Sequence, residues 1–532
     1  MAALGMTLGL RRAVLALPVR SRVPVATFIP DLIDPATLRA LAQAGIDAAK
    51  QAGASYADCR VSDWNEFETR QGLMIPPECA LTFNYTYGLR VLVDGAWAQV
   101  FGADPTPDGI ARAARTAVTT ARGLSRIAGT PVELVPTPTV HGEWNTPQAI
   151  DPFSVSPDEH AQLIGAYKEA SQRVPHASTG ELRFQWGRDT RVFASTDGSL
   201  ITQCLRRWRP IVMVAAFPRF GREEFATLPV PGISPMSIGF EAALGSEIQE
   251  RIKATAEEVT RLVQYPEGEA KLGRYAAVLD GEAMGLMLGA TLSPALEVDR
   301  VLGYEANNGG TSILAPASEF LGTPIGASVI DVTADRTAPH YGAARWDDEG
   351  VKTQSFPVIQ QGRLRNYFTT RTSVLPLAAA VTAGSQPTVY GSAVAWTLSM
   401  KPIGSASHLT MASGPVGATL DSLVQDLGTG MLIYGARDDI STDSQLAGGL
   451  LQPQMLFEVQ RGTIVRRLRH GGIQFGTKTF WKGVAALGDT TTVLAAHHAE
   501  LRGEMAGWSS QVMHAPAALA RQVDVIQIGR NR

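Results

Sequence analysis

The sequence predicts an α+β fold, with an N-terminal helix-and-sheet domain followed by a β-rich C-terminal domain of mostly antiparallel mixed sheets. Glycine (52 residues) and proline (32 residues) punctuate many short alternating apolar runs, which is typical of strands joined by turns. Helical spacing of apolar residues is concentrated in the first half of the chain, and no long helical array follows in the second. A chain of 532 residues is also too long for one ordinary core, so more than one domain is expected.

The N-terminal half alternates helix and strand signals. Apolar residues recur at helical spacing in four stretches, which predict helices over residues 35–53, 107–122, 157–173 and 246–262. Alternating apolar residues predict strands over 56–61 and 81–103, and Asp94-Gly95 is the dipeptide of a tight hairpin turn. The Pro-rich passage 131–147 is typical of a crossing segment or a linker.

The C-terminal half is predicted to be built from short strands. Strand character is found over residues 276–280, 328–334, 353–359, 364–368, 408–411 and 455–460, and Gln361-Gly362 indicates a hairpin turn. The polar, turn-rich stretch 265–272 marks the start of this half. We therefore expect an N-terminal α/β part over residues 31–264, a C-terminal β-rich part over 265–532 and an unassigned segment over 1–30.

Composition argues against nucleic-acid and membrane partners. The formal net charge of −3 and the pI near 6.3 give no field that would attract nucleic acid or an anionic membrane. The triplet Arg206, Arg207 and Arg209 around Trp208 is accordingly interpreted as a solvated strand face rather than a nucleic-acid patch. No stretch approaches the roughly 18 apolar residues of a membrane span. Since Arg20 cuts the apolar run that follows Arg11-Arg12, a cytoplasmic location is expected over export.

Four segments carry a family resemblance that extends over roughly residues 35 to 530. They are YADCRV with GLRVLVDGAWAQVF, AAVLDGEAMGLMLGATLSPALEVDRVLGYEANNGGTS, WDDEGVKTQSFPVIQQGRLRNYFTTRTSV and MLFEVQRGTIVRRLRHGGI. In this order they resemble the TldD/PmbA metallopeptidase family, whose N-terminal signature, metal-motif helix, Asp-Asp-Glu-Gly segment and late strand pair they match. The resemblance implies the same α+β build and a relation to peptidases.

The resemblance also implies that the zinc site has been lost. Peptidases of the family are thought to hold zinc through a His-Glu-x-x-x-His helix and a distant Cys, with the Glu acting on metal-bound water. Here those positions are occupied by Gly289, Ala290, Pro294 and Ala506, none of which can bind a metal or move a proton. Neither zinc nor another cofactor is therefore expected. Pro294 is also expected to end the helix around Ser293.

Polar residues remain dense around the lost motif. They are Glu297, Asp299, Arg300, Glu305, Asn308, Asp347, Asp348 and Glu349. One interpretation is an oxygen-only site for a hard cation such as Mg or Mn. The other is a network of paired charges that supports the former cleft, with Asp299 or Asp348 bonded to Arg300 or Arg345, and the nearby arginines favour it. The adjacent His497 and His498 are weak ligand candidates, because their side chains would diverge on a strand or lie more than a quarter turn apart on a helix.

Three functions of different class are compatible with these features. The first is a pseudoenzyme, inactive as a zinc protease, that binds extended peptides or unfolded polypeptide as a homodimer or as the scaffold subunit of a heterodimer with a related chain. The second is an active peptidase or other hydrolase with a relocated or oxygen-ligated metal. The third is a small-molecule-binding protein on an inherited peptidase fold. The loss of all four zinc-site positions favours the first.

Overall fold

The computed structural model describes residues 12–13, 32–73, 75–103, 105–127, 129–218, 225–381, 387–437, 440–502 and 507–528. The α-helices are α1 (Pro35–Gln51), α2 (Pro107–Ser125), α3 (Pro157–Gln172), α4 (Ser246–Leu262), α5 (Gly281–Met287), α6 (Ser293–Ala295), α7 (Val298–Val301), α8 (Ala317–Phe320), α9 (Val374–Ala380), α10 (Leu420–Leu427) and α11 (Thr477–Gly483). A π-helix from Leu288 to Leu292 joins α5 to α6. Short 3₁₀ turns lie at Pro152–Ser154, Phe240–Ala243 and Thr490–Thr492.

Strands account for most of the remaining regular structure. In the first half they are β1 (Arg12–Ala13), β2 (Tyr56–Gly72), β3 (Glu78–Val93), β4 (Ala96–Ala103), β5 (His141–Asn145), β6 (Ala177–Ser195), β7 (Leu200–Ala216) and β8 (Ala226–Pro229). In the second half they are β9 (Glu267–Glu269), β10 (Gly273–Leu279), β11 (Val332–Asp335), β12 (Ser355–Gln360), β13 (Arg363–Leu364), β14 (Ala393–Val394), β15 (Ile403–Gly404), β16 (His408–Met411), β17 (Gly430–Tyr434), β18 (Ser441–Thr442), β19 (Gly448–Leu451), β20 (Met455–Gln460), β21 (Thr463–Arg469), β22 (Gly471–Gly476), β23 (Val484–Leu487), β24 (Leu494–Arg502), β25 (Gly507–Ala515) and β26 (Ala518–Gln527).

The N-terminal sheet is built on four long antiparallel strands. Its order is β1-β3-β2-β6-β7-β5, with β4 on β3 and β8 on β7. Helices α1 and α2 bury small and branched side chains, such as Ala42 and Ile110, against β2 and β3. Helices α3 and α4 pack on the far ends of β6 and β7. This arrangement leaves the middle of the long strands available to line a surface.

Two further large sheets and a two-stranded ribbon of β14 and β15 form the C-terminal half. One has the order β18-β19-β22-β26-β10-β17-β20-β21-β9, and the other has the order β13-β12-β11-β16-β25-β24. The largest apolar core includes side chains of α5, the π-helix and both sheets, among them Met284, Leu288, Leu409 and Met513. A second core joins α3 and α4 to β17 and β20, so apolar packing is continuous between the two halves.

Most local sequence predictions are confirmed. The four N-terminal helices are present as α1 to α4, and both Asp94 and Gly95 have positive φ (48° and 77°), as a two-residue hairpin turn between β3 and β4 requires. Gln361 and Gly362 likewise turn with φ of 51° and 69°. The prediction of an α+β fold with helices and mixed, largely antiparallel sheets is confirmed.

Two local predictions were wrong. The predicted linker 131–147 contains β5, which pairs in parallel with β7, because the strand is held by a partner almost sixty residues away (His141 opposite Leu200) and not by a local signal. The strand predicted over 364–368 ends at Leu364, and only Phe368 makes an isolated bridge, to Glu297.

Two further predictions concern the N-terminal segment and membrane-spanning helices. The unassigned segment 1–30 lies outside the described residues, apart from Arg12 and Ala13, which pair with β3. Within the described part of the chain, no helix is both long and apolar enough to cross a membrane.

Candidate functional site

A cleft of about 590 Å³ lies between the N-terminal sheet and the C-terminal half. Strands β2, β3, β6 and β7 supply one side, and Trp396–Ser399, Tyr341 and the β24–β25 hairpin supply the other. The polar and aromatic side chains that line it include Trp64, Glu66, Asn84, Tyr87, Gln185, Arg191, Arg207, Arg209, Tyr341, Trp396 and Ser510. The cleft therefore combines aromatic surfaces with charges of both signs.

The wall formed by Trp396–Ser399 is held by side chains of the N-terminal sheet. Gln99 Nε2 donates to the carbonyl oxygen of Ser399 at 2.9 Å, and Arg60 Nη2 donates to that of Met400 at 3.1 Å. A Cβ added to Gly88 would lie 2.2 Å from the carbonyl oxygen of Leu398, so a side chain at this position would push the wall away. These contacts fix the width of the cleft at this end.

The acidic run Asp347–Glu349 lies under the same wall. Asp348 Oδ1 accepts from Arg191 Nη1 at 2.5 Å, and its Oδ2 accepts from the backbone N–H of Ala395 at 2.8 Å. Glu349 contacts Arg90 at 3.3 Å and accepts from the backbone N–H of Arg371 at 2.7 Å. The segment therefore joins the N-terminal strands to the chain that forms the wall.

The predicted network of paired charges is found for Asp348, but with a different partner. The sequence interpretation named Arg300 or Arg345, whereas Arg191 of β6 makes the ion pair. The guanidinium carbon of Arg345 lies 5.3 Å from the ring centroid of Trp346. Because Arg191 is 157 residues from Asp348, no local sequence pattern indicates this pairing.

Burial and neighbouring charges act in opposite directions on the acidic run. Burial and, to a smaller extent, the Glu349 carboxylate raise the pKa of Asp347 to about 7, against the hydrogen bonds that Asp347 accepts from backbone N–H groups. For Asp348 burial also opposes ionisation, but the guanidinium groups of Arg191 and Arg60 outweigh it and hold the pKa below its usual value. Adjacent carboxylates thus have opposite pKa shifts.

The second part of the polar cluster lies on the other side of the β14–β15 ribbon. Asp299 Oδ2 accepts from the N–H of Gly404 in β15 at 3.4 Å, and its Oδ1 lies 3.7 Å from Lys401 Nζ. Asp347 Oδ2 accepts from Ala393 in β14, the residue opposite Gly404. The two acidic groups are thus brought to the two edges of one ribbon rather than to a common point.

None of the eight predicted cleft candidates is among the residues that line the cleft of about 590 Å³. Glu297, Arg300 and Glu305 are buried, at 0%, 4% and 0% exposure, whereas Asn308 is exposed in a turn. Among the described residues, no three His, Cys, Asp or Glu side chains form a group that could hold a metal ion. The carboxylates of Asp347, Asp348 and Glu349 instead accept hydrogen bonds from N–H groups of the backbone and of arginines.

The helix that matches the family's metal motif continues past the predicted end. The π-helix inserts one extra residue per turn, and Ser293 N–H bonds to the carbonyl oxygen of Leu288. Pro294 is then accommodated in α6, which ends at Ala295, so the prediction that the proline ends the helix around Ser293 was wrong by two residues. The side chain of Thr291 donates to Met287 O and accepts from Trp481 Nε1 at 3.0 Å, which supports the widened turn.

The residues at the motif positions do not fit a zinc ion. Gly289, Ala290 and Pro294 carry no donor atom in their side chains. A Cβ added to Gly289 would lie 2.9 Å from Cβ of His498 and 3.0 Å from Cε of Met513, so the space that a histidine would need is filled. The fourth position, Ala506, lies outside the described residues.

Sequence reasoning missed the side chains that most define the cleft. Arg207 and Arg209, interpreted as part of a solvated strand face, are half-buried and line the cleft. The adjacent histidines do diverge on a strand: His498 packs on the motif helix, whereas His497 Nε2 lies 2.7 Å from the hydroxyl of Ser510, a cleft residue. The only signal available in the sequence was the alternation of β7 and β24.

Comparisons with known proteins agree with this architecture. The family model of the PmbA/TldA metallopeptidase C-terminal domain matches residues 272–527. A metalloprotease of Methanothermobacter thermautotrophicus is 26% identical over 199 residues, 37% of this chain, and the alignment spans only 39% of that relative's length. A metalloprotease of Methanocaldococcus jannaschii is 21% identical over 390 residues, which cover 72% of this chain and 78% of the relative.

Solved structures share the fold over almost the whole chain. TldE from Thermococcus kodakarensis is 13% identical with a TM-score of 0.67, covering 92% of this chain and 100% of its own. A protein of Thermotoga maritima, described as a candidate modulator of DNA gyrase, is 14% identical with a TM-score of 0.68, covering 91% of this chain and 99% of its own. The match to the C-terminal domain model and the metalloprotease relatives place residues 272–527 in the TldD/PmbA family, and the solved structures show that the chain shares the fold of these proteins over most of its length.

Proposed function

We propose that this chain binds extended polypeptide in the cleft and does not act as a zinc protease. The observation that carries the proposal is the pairing of a cleft of about 590 Å³ with motif positions that offer no zinc ligand. Binding without cleavage is the simplest function for a cleft kept on a peptidase fold from which the metal site has been removed.

The β24 edge of the six-stranded C-terminal sheet supports binding of an extended chain. Strand β24 is the last strand of its sheet among the described residues, and its residue Ala499 lines the cleft. An edge strand offers backbone N–H and C=O groups to which a peptide can add as a further strand, with little dependence on peptide sequence. Trp64, Tyr87 and Trp396 provide aromatic surfaces for side chains of the bound peptide.

The proposal is tested by a substitution on β6 that places a larger side chain in the cleft. Gly187 lies in the middle of β6 and lines the cleft, and a Cβ at this position would have its nearest neighbour at 3.9 Å. Gly187→Leu should therefore be accommodated by the strand while its side chain occupies the peptide's space. We expect the affinity for a fluorescein-labelled unfolded peptide, measured by fluorescence anisotropy, to fall about tenfold or more, equivalent to roughly 1.4 kcal/mol.

A matched control separates a blocked cleft from a damaged fold. Gly123 is exposed on α2, and a Cβ there would have no atom within 4 Å. Gly123→Leu should bind the peptide like the wild-type chain, and both variants should keep the wild-type melting temperature within a few degrees. Equal peptide affinity of the wild type and Gly187→Leu, or zinc-dependent cleavage of the peptide by the wild type, would contradict the proposal.

A further inference from the structure

We propose that an arginine-lined recess at the end of the cleft binds a carboxylate group, supplied by the C-terminus of the bound peptide. The inference rests on the proposed function, to which it adds the chemical feature that orients the peptide. The recess has a volume of about 20 Å³ and opens beside the cleft, with which it shares Arg191, Arg207 and Trp396.

The recess has the size of a small anion. A cavity of about 10–15 Å³ holds one water molecule, so about 20 Å³ leaves room for a group between one and two water molecules in size, such as the tip of a carboxylate. Apolar walls from Phe193, Ile201 and Trp346 restrict access of water. In such a place, electrostatic attraction between a guanidinium and an anion is stronger than in open solvent.

The charged side chains that line the recess are mainly cationic. Arg60, Arg191, Arg207 and Arg336 face it together with Asp347 and Asp348. The Asp348 carboxylate is already bound by Arg191 and by the backbone N–H of Ala395. Arg191 also pairs with Asp189 of the cleft lining at 2.6 Å, so the four guanidinium groups exceed the three carboxylates by one positive charge even when all three are ionised.

Several buried guanidinium N–H groups have no acceptor among the described residues. Arg60 is wholly buried. Its Nε and Nη1 have no acceptor among the described residues, whereas its Nη2 donates to the carbonyl oxygen of Met400. The Nε atoms of Arg191 and Arg336 are also buried without an acceptor among the described residues. Buried charged donors are costly when they are left without acceptors, so this wall is suited to a ligand that only accepts hydrogen bonds.

A carboxylate matches these requirements. Its two oxygens accept in the plane of a guanidinium fork, and it carries the negative charge that the recess lacks. Because Arg207 and Trp396 line both spaces, a peptide lying in the cleft can place its terminal carboxylate in the recess without leaving the cleft. The recess would then fix the direction in which the chain is bound.

The test compares two forms of one peptide that differ only at the C-terminus. A labelled peptide without acidic residues is titrated by anisotropy with a free C-terminal carboxylate and, separately, as its C-terminal amide. The wild-type chain is expected to bind the free acid about tenfold more tightly than the amide. Arg207→Gln should abolish the preference, and Arg207→Lys should retain only part of it, because lysine keeps the charge but not the planar fork.

A neighbouring arginine provides the control. Arg206 is adjacent to Arg207 on β7, is not part of the recess or the cleft lining, and lies 3.5 Å from Asp151. Arg206→Gln should keep the full preference for the free acid. Melting temperatures of the variants establish that each is folded.

The outcomes separate this inference from the proposed function. Equal binding of acid and amide by the wild type would overturn the carboxylate recess while leaving peptide binding intact. No binding of either peptide would overturn the proposed function. If sodium acetate raised the melting temperature of the wild type but not of Arg207→Gln, and the peptides showed no preference, the recess would bind a free carboxylate ion and the assignment to a peptide terminus would be wrong.

Discussion

At the scale of single residues, the structure shows that Gly289, which the resemblance aligns with a zinc ligand of the family, is used for packing. Gly289 allows the ring of His498 and the side chain of Met513 to approach the motif helix. Thr291 and Trp481 tie the widened turn together with a hydrogen bond of 3.0 Å. The helix thus has a structural role behind the β24–β25 hairpin.

This close approach makes Gly289 sensitive to the smallest side chain. In Gly289→Ala the new methyl group would lie 2.9 Å from Cβ of His498, which cannot move without its strand. We expect the free energy of unfolding, measured by urea denaturation, to fall by about 1–3 kcal/mol. The same change at exposed Gly123, where a Cβ meets no atom within 4 Å, should instead stabilise α2 by about 0.5–1 kcal/mol. Destabilisation of equal size at both positions would argue against the packing explanation.

At the scale of elements, local sequence patterns predicted the helices and strands whose bounds depend mainly on their own residues. Helix α4 has the predicted bounds of 246–262, because its apolar residues repeat at helical spacing, and β20 matches the predicted 455–460. In contrast, β5 is stabilised by β7, and the π-helix by contacts with β24 and β25, so neither has a local sequence signature. The ribbon of β14 and β15 is likewise held by distant carboxylates, those of Asp347 and Asp299.

The β14–β15 ribbon should be sensitive to pH through Asp347. Burial raises the pKa of this group to about 7, so the folded chain retains a proton that the unfolded chain releases near pH 4. Stability is therefore expected to fall as pH rises from about 4 to 7 and then to level off. In Asp347→Asn this decline should be smaller than in the wild type, by on the order of 2–4 kcal/mol across the window.

The measurement is urea denaturation at intervals between pH 4 and 8. The informative quantity is the difference in slope between wild type and Asp347→Asn, since the absolute stability also reflects the hydrogen bonds from Val351 and Ala393 that the side chain accepts. Parallel pH profiles for the two chains would show that Asp347 is ionised in the folded protein over the whole window.

At the scale of the whole molecule, the cleft exists because two halves meet. The sequence could be aligned with the family's metal motif at Gly289, Ala290 and Pro294, since these residues lie in one short segment of the chain. It did not predict the pairing of Arg191 with Asp348 or the convergence of Arg60, Arg207 and Arg336, because these residues come from separate strands and loops. The resemblance indicated the fold, whereas the charge arrangement of the site required the tertiary structure.

The central claim is that the chain binds polypeptide without zinc, and its zinc content tests this most directly. The measurement is elemental analysis of the protein purified without chelator and without a nickel column. Because Gly289, Ala290 and Pro294 provide no ligand, we predict zinc far below one ion per chain, even after incubation with excess zinc and removal of the unbound metal. About one tightly bound zinc ion per chain would contradict the account.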